Sequence, residues 1–419
     1  MSTVRKGTMS SPAIPLTETR DLRTGTVPWR ATDWRAPNSG SIPTAPVDVA
    51  ILGSGIMGSI LADRLAASGR SVAICDRRVP GTGSTAASTA QLMWAMDVPL
   101  AVLSERLGEK EAARRWLRVF AAVERFGRRL DEAGGDLKQD VPTLYLEGKL
   151  LEGGALAQEA ALHRRHGLPS RYLSAPQVAG RFAIAPRAGI VSSGTFAMDP
   201  VRTCHALLAR AQAREACLVY PIDIASLHPN AHGIELASSD GRSFTARDVI
   251  LATGYERARL FLPEAFSLLS TFAIATPPHA VPLWNERAMI WEASDPYLYV
   301  RVGPEGRIIA GGEDVELADA DTRDELLAAK AGAISARLAK ALGQESIAWD
   351  RAWAATFGNS PDGLPAIGAA RGMDHLWLAS GFGGNGIAFA ALAAELLAAA
   401  ICGTPDDDAE CFDPYRFEA

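Results

Sequence analysis

Three glycines near the start of the chain have the spacing of a phosphate-binding turn. Gly53, Gly55 and Gly58 form G-x-G-x-x-G directly after the apolar run 47–52. In such a turn the first glycine allows a tight bend, the second lets the backbone approach a pyrophosphate, and the third lets helix and strand pack closely. The N-terminus of the following helix attracts phosphate. Asp76 ends the next apolar run, where a carboxylate can bind ribose hydroxyls. The motif predicts a dinucleotide site.

Three further stretches favour FAD over NAD as the dinucleotide. Residues 81–92 are rich in small hydroxylated side chains that can bind phosphate and ribityl oxygens, although a flexible Ser/Thr loop is the alternative interpretation. Residues 249–256 bring a second strand end to the adenosine. Residues 380–387 expose backbone N–H groups at a helix start, where they would stabilise negative charge on a reduced flavin. An NAD dehydrogenase has no use for that last feature, so we expect FAD.

The expected FAD contacts lie at these strand ends and helix starts. They are Gly53, Gly55, Ile56, Met57, Gly58, Asp76, Arg77, Ser84, Thr85, Ala87, Ser88, Thr89, Ile224, Ala252, Thr253, Gly254, Gly381, Phe382, Gly383, Gly384, Asn385, Gly386 and Ile387.

The composition excludes several other classes of protein. The chain is 48% hydrophobic and 21% charged, as in ordinary globular proteins, and its net charge of −6 gives no reason to expect nucleic acid as a partner. The apolar run 386–403 is interrupted by Glu395 and is shorter than the ~20 residues that cross a bilayer, so we expect a buried helix. The five cysteines include no C-x-x-C, which argues against a metal site. Residues 1–46 contain no secretory apolar segment, which predicts a cytoplasmic protein.

The surrounding pattern predicts the elements that must position this site. The runs 47–52 and 71–76 flank a helix over 58–68, which completes one βαβ unit. Apolar residues at helical spacing predict an amphipathic helix within 105–130. Trp29 and Trp34 either attach the N-terminal arm to the surface or lie in a frayed tail.

Taken together, these motifs resemble the D-amino-acid-oxidase-type (DAO) FAD oxidoreductases. The resemblance covers roughly residues 47–403 and rests on the order of five stretches: GSGIMG (53–58), GSTAASTAQL (83–92), LATGYE (251–256), SPDGLPAIG (360–368) and SGFGGNGI (380–387). It implies an α/β fold, in which a discontinuous Rossmann-like FAD-binding domain is joined to a second α+β domain with an antiparallel sheet over the flavin. Residues 266–278 and 295–316 would supply that sheet.

The resemblance also implies a division of the chain into four parts. These are an irregular N-terminal arm (1–46), an FAD-binding domain (47–135, 190–258 and 350–403), a substrate domain (136–189 and 259–349) and a C-terminal tail (404–419).

The chain departs from the family pattern at the substrate-binding positions. Amino-acid-oxidising relatives place a carboxylate-binding Arg near the position of Phe357, and glycine-oxidase-like members place another at Gly384. Positions 355–357 also hold no Cys of the kind that attaches flavin in sarcosine-oxidase-like members, so FAD is expected to be non-covalent. The remaining pocket candidates are Arg301, Tyr299, Trp94 and Phe357. A solvated strand-edge position is the alternative for Arg301, and core packing is the alternative for Trp94 and Phe357.

The expected activity is oxidation of a C–N bond in an amine or N-substituted amino acid. Hydride would pass to flavin N5, the resulting imine would hydrolyse, and the electrons would go to O₂ or another acceptor. This chemistry needs little help from a general base, and the sequence offers no obvious His–Asp dyad. The alternatives are an FAD-dependent dehydrogenase of a 2-hydroxy acid or polyol, and a non-catalytic flavin-binding or electron-relay subunit. The substrate, the electron acceptor and the oligomeric state stay open.

Overall fold

A computed structural model describes residues 21–29, 35–256, 261–380 and 383–418. Its strands are β1 (Arg23–Gly25), β2 (Val47–Leu52), β3 (Val72–Cys75), β4 (Gln91–Leu92), β5 (Lys138–Asp140), β6 (Thr143–Leu146), β7 (Ser170–Leu173), β8 (Gly189–Ser192), β9 (Phe196–Met198), β10 (Cys217–Val219), β11 (Ile224–Asn230), β12 (Gly233–Ser238), β13 (Ser243–Leu251), β14 (Ser267–Ala275), β15 (Met289–Glu292), β16 (Leu298–Val302), β17 (Ile308–Val315), β18 (Arg351–Asn359), β19 (Ala366–Ala369) and β20 (Leu376–Ser380). Its α-helices are α1 (Ile56–Ala67), α2 (Ser84–Ala87), α3 (Leu100–Leu107), α4 (Glu109–Ala133), α5 (Gly154–Arg165), α6 (Ala175–Phe182), α7 (Pro200–Gln212), α8 (Ala320–Leu342) and α9 (Gly386–Ile401).

An eight-stranded sheet contains the βαβ unit that the sequence predicts. Its order is β10-β3-β2-β13-β12-β11, and β20 also pairs with β13 and with β19. The central strands β3, β2 and β13 are parallel and apolar, because both faces of such strands are covered. The register places Leu52 beside both Cys75 and Leu251, so three strands end at the same edge of the sheet. The glycine turn after β2 and the Ala252–Gly254 turn after β13 therefore begin side by side.

A nine-stranded sheet forms the second layer of structure. Its order is β1-β18-β14-β17-β16-β15-β6-β8-β7, and its pairs are antiparallel except for β15 with β6. Strands β14, β16 and β17 come from residues 266–278 and 295–316, so the prediction of an antiparallel sheet from these segments is confirmed. Helix α8 covers one face of this sheet with an apolar row that includes Ala331, Ile334 and Leu338.

Three strands of the nine-stranded sheet lie wholly or partly in segments that were predicted to belong to the N-terminal arm or to the FAD-binding domain. Strand β18 falls within the predicted FAD-binding segment 350–403, yet it pairs along its whole length with β14, from Ser267 opposite Asn359 to Ala275 opposite Arg351. Strand β8 joins the same sheet, and β1 gives regular structure to the arm by pairing with β18. For β1 and β18, pairing partners far apart in the sequence leave no local signal, whereas β8 begins at Gly189, the last residue of the predicted substrate segment. The division into domains otherwise stays a prediction.

Helices α1, α4, α7 and α9 pack against one another and contribute to the largest hydrophobic cluster. Helix α4 is amphipathic, as the sequence predicts, and contacts α9. Helix α9 is buried along most of its length, and its Glu395 is paired with Arg118 at 2.8 Å and Arg125 at 2.7 Å. These ion pairs explain how a carboxylate is accommodated in an apolar helix. No helix within the described residues is long and apolar enough to cross a membrane.

Candidate cofactor and substrate site

A single cavity connects the two glycine-rich segments that the sequence singled out. It is lined by the turn after β2, by the α2 segment, by the turn after β13 and by residues 383–387 at the start of α9. Except for Gly58, every predicted FAD contact that falls within the described residues lines this cavity. Gly381 and Phe382 lie outside the described residues. The two helix starts are thus close enough to contact one elongated ligand.

The turn after β2 requires glycine at two positions. Gly53 has a φ of +112°, and a Cβ on it would overlap the carbonyl oxygen of Ala252. Gly58 does not line the cavity, because it faces the turn itself: a Cβ there would overlap the Gly53 carbonyl oxygen. Gly58 therefore lets α1 start directly against the strand end, which points the free N–H groups of the helix into the cavity.

Asp76 lies beside this turn, at the end of β3. Its Oδ2 accepts hydrogen bonds from the Ser54 N–H at 2.6 Å and the Ser54 hydroxyl at 2.8 Å, and its Oδ1 accepts one from the Arg78 N–H at 2.8 Å. These bonds hold the carboxylate at the cavity wall. Oδ1 accepts only one of these bonds, so it keeps a further lone pair for a ribose hydroxyl.

The cavity wall contains buried polar groups that have no hydrogen-bond partner within the described part of the chain. They include the hydroxyls of Ser84 and Thr253 and the side-chain amide of Gln91. Buried polar groups are nearly always bonded, so unpartnered groups that line a cavity fit a polar ligand there. The hydroxyl of Thr85 accepts from the Ile56 N–H at 2.9 Å and attaches the α2 segment to the start of α1. The residues present therefore fit the phosphates and hydroxyls of FAD.

The start of α9 carries a carboxylate that the sequence interpretation missed. Asp97 accepts a hydrogen bond from the Gly384 N–H at 2.9 Å, and a Cβ on Gly383 or Gly384 would lie 3.0 or 3.2 Å from its Oδ2. The side chain lines the cavity and has exposed surface there. Burial, supplemented by the charge of Asp314, raises the pKa of Asp97 to about 6. An acidic residue shortly after the 81–92 run was the only signal in the sequence.

Aromatic side chains from the nine-stranded sheet form another part of the cavity wall. Tyr299 and Phe357, two of the predicted substrate-pocket residues, line it together with Tyr297 and Trp291. The Tyr297 hydroxyl donates to Asp314 Oδ2 at 2.8 Å. Burial raises the pKa of both tyrosines, so their hydroxyls stay protonated and can donate hydrogen bonds. The remaining two pocket candidates lie elsewhere.

Trp94 packs in the core and does not line the cavity. Its side chain has no exposed surface, and its indole N–H donates to the Ser193 carbonyl at 2.8 Å. Its ring makes edge-to-face contacts with Trp116 and Phe120. This geometry corrects the prediction of a pocket role and corresponds to the core-packing alternative.

Arg301 is buried and does not line the cavity either. Its guanidinium donates to the carbonyls of Thr89, Ala90 and Met198 at 2.8–2.9 Å. Burial lowers its pKa to about 10. The prediction that Arg301 binds an acidic substrate group is therefore corrected, as is its solvated strand-edge alternative: the side chain supports the backbone of the 81–92 segment.

Comparison with known proteins agrees with this architecture. The family model described as FAD dependent oxidoreductase (DAO) matches residues 48–400. An uncharacterized oxidoreductase, YurR, from Bacillus subtilis (strain 168) is 25% identical over 386 residues, which are 87% of this chain and 97% of the relative. Glycine oxidase from Bacillus licheniformis is 25% identical over 388 residues, with 89% and 98% covered.

Solved structures show the same fold. Glycine oxidase from Geobacillus kaustophilus superposes with a TM-score of 0.71 at 20% identity, over 89% of this chain and 98% of that one. L-Amino acid deaminase from Proteus myxofaciens superposes with a TM-score of 0.74 at 14% identity, over 96% and 100%. Since the family model spans most of the chain and the cavity fits its cofactor, the chain belongs to the DAO family of FAD-dependent oxidoreductases.

Proposed function

We propose that this enzyme oxidises the C–N bond of an amine or N-substituted amino acid. The observation that carries the proposal is the shape of the cavity, which joins the pyrophosphate-type turn, the start of α9 and an aromatic wall in one space. FAD, when bound, supplies the acceptor for the hydride that leaves the carbon next to nitrogen. The aromatic wall would orient the substrate and exclude water, and the imine product would hydrolyse after release.

The titratable groups around the cavity favour an amine over an alcohol as substrate. No histidine or lysine occurs among the described residues that line it, and Asp97 is the carboxylate near its aromatic part. A carboxylate can accept a proton from an ammonium group, with a pKa of about 10, far more readily than from an alcohol, whose pKa is close to the 15.7 or so of water. A 2-hydroxy acid or polyol dehydrogenase would need a stronger base.

Anaerobic mixing of the holoenzyme with candidate substrates tests this proposal. N-methyl amino acids and simple alkylamines should abolish the visible absorption band of the flavin, whereas 2-hydroxy acids and polyols should not. Reduction by a hydroxy acid but no amine would support the dehydrogenase alternative. If a chemical reductant bleaches the flavin and no organic compound does, the electron-relay alternative gains support. Oxygen uptake after reduction would distinguish an oxidase from an enzyme that uses another acceptor.

FAD is proposed to be held without a covalent bond. Residues 355–357 are Ala-Thr-Phe and line the cavity, so no thiol is available at the position where some relatives attach flavin. Acid precipitation of the holoenzyme should therefore release all of the yellow colour into the supernatant as unmodified FAD. Colour that stays with the precipitated protein would contradict this prediction.

A further inference from the structure

The charges that line the cavity are unevenly distributed. Beside the pyrophosphate-type turn, Arg77 and Arg78 are ion-paired with Glu256, so positive and negative charge are both present there. Near the aromatic side chains, Asp97 is the charged residue among the described lining residues, and its charge acts on Tyr297. The formal charge of the described side chains in this part of the cavity is therefore negative.

The nearby cations of the nine-stranded sheet and α8 are engaged elsewhere. Arg301 donates to three backbone carbonyls. Arg323 donates to the Asp21 carbonyl at 2.8 Å, and Lys330 pairs with Glu313 at 3.3 Å. None of these three side chains lines the cavity. A substrate carboxylate placed here would lose its hydration without gaining a positive partner, which is costly.

Asp97 has the opposite property, because it can accept a positive partner. The Gly384 N–H holds its Oδ2, and no described residue donates a hydrogen bond to its Oδ1. The surrounding wall includes Trp291, Tyr297 and Tyr299. The faces of aromatic rings attract ammonium groups, and tryptophan does so most strongly. A cation would thus find both a carboxylate and aromatic rings in the same wall.

We propose that the substrate is a cationic amine without a carboxylate near the reacting carbon, and that Asp97 binds its positively charged nitrogen. The inference rests on the proposed function for the identity of the reaction, and it narrows the substrate from amines and amino acids to amines alone. Binding of a cation does not require turnover, so the two proposals can fail separately.

A matched pair of unreactive ligands tests the inference. Benzyltrimethylammonium and benzoate both carry one aromatic ring, and neither has an oxidisable C–H bond next to a nitrogen lone pair. Calorimetric titration of the oxidised holoenzyme near neutral pH should detect binding of benzyltrimethylammonium, and benzoate should bind at least about tenfold more weakly. Equal or tighter binding of benzoate would overturn the inference with the wild-type protein alone.

Substitution at Asp97 then tests the residue. Asp97→Asn should weaken benzyltrimethylammonium binding by about tenfold or more in protein that retains FAD. Asp97→Glu should restore part of the affinity. Asp136→Asn removes an exposed carboxylate from the turn between α4 and β5 and should leave the cation affinity unchanged. Unaltered cation affinity in Asp97→Asn, or loss of FAD with no separate effect on the cation, would overturn the assignment.

Discussion

At the residue scale, Arg301 and Asp97 differ most from what the sequence suggests. Arg301 was expected to bind a substrate carboxylate, but its guanidinium donates hydrogen bonds to the carbonyls of Thr89, Ala90 and Met198. No sequence motif assigns a role to Asp97, yet its carboxylate faces the cavity at the start of α9. The difference comes from which way each side chain points, and this depends on neighbours far away in the chain.

The raised pKa of Asp97 predicts how its replacement changes stability with pH. Burial and the Asp314 charge raise its pKa from 3.8 to about 6, so the folded protein binds a proton more tightly than the unfolded chain. This carboxyl group therefore favours folding most at low pH, and that contribution is lost as pH rises through about 6. In Asp97→Asn the contribution is absent. Its melting temperature relative to wild type should increase from pH 4 to pH 7.

The pKa of Asp97 depends on the groups that face its carboxyl. They are the Gly384 N–H, the carboxylate of Asp314, and the hydroxyls of Tyr145 and Tyr297, whose pKa values are raised by burial, so they stay neutral in this range. A melting-temperature difference that is constant or decreases across the range would contradict the predicted direction. Asp136→Asn is the control for removal of a carboxylate.

Arg301 should behave as a structural residue of the flavin-binding segment. Arg301→Met keeps much of the side-chain volume but removes the guanidinium donor from three backbone carbonyls. We expect a loss of about 3–5 kcal/mol in the free energy of unfolding and weaker retention of FAD, because Thr89 lines the cavity. Denaturant unfolding and FAD titration would measure these effects. An unchanged stability combined with a raised KM for amines would return Arg301 to a substrate role.

At the scale of elements, the site depends on how closely α1 approaches the end of β2. The register of β2 with β3 and β13 brings three strand ends together, and Gly58 lets the helix begin against the Gly53 carbonyl. Both features are local consequences of the motif, which is why the βαβ unit was predictable. The pairing of β18 with β14 has no such local cause.

Substitution of Gly58 tests this close approach. In Gly58→Ala the new Cβ overlaps backbone rather than a movable side chain, so helix and strand must separate. We expect a loss of about 1–3 kcal/mol in the free energy of unfolding and a marked loss of FAD affinity. Gly332→Ala in α8 is the matched control, because a Cβ there meets nothing within 4 Å. It should stabilise the protein by about 0.5–1 kcal/mol. Normal FAD binding by Gly58→Ala would contradict the role assigned to this glycine.

At the scale of the whole molecule, the N-terminal arm connects the nine-stranded sheet to the α2 segment at the cavity wall. Strand β1 extends the nine-stranded sheet at β18, and the Trp29 indole N–H donates to the Ala86 carbonyl at 2.9 Å. The Trp29 ring is buried against apolar residues that include Trp353 and Ala87. The arm therefore holds the α2 segment of the cavity wall against the large sheet. Trp34 lies outside the described residues.

Trp29 should consequently affect both stability and the cofactor. Trp29→Ala removes a buried indole and its hydrogen bond, and should lower the free energy of unfolding by about 3–5 kcal/mol. FAD should dissociate more readily, since Ala87 lines the cavity. Trp29→Phe keeps an aromatic ring, so its free energy of unfolding and its rate of FAD release should lie between those of Trp29→Ala and wild type. Denaturant unfolding and the rate of FAD release measure both effects, and wild-type values for Trp29→Ala would show that the arm is dispensable.

The family, the cofactor and the place of the pyrophosphate-type turn followed from the sequence, because each depends on short-range requirements. A glycine is needed where φ is positive or where a helix meets a strand, and such needs show in spacing alone. Three features were decided only by the tertiary structure: the burial of Arg301 and Trp94, the cavity-facing carboxylate of Asp97, and the membership of β1 and β18 in the large sheet. Each results from contacts between residues far apart in the chain, and no local pattern encodes the direction of a side chain or the partner of a strand.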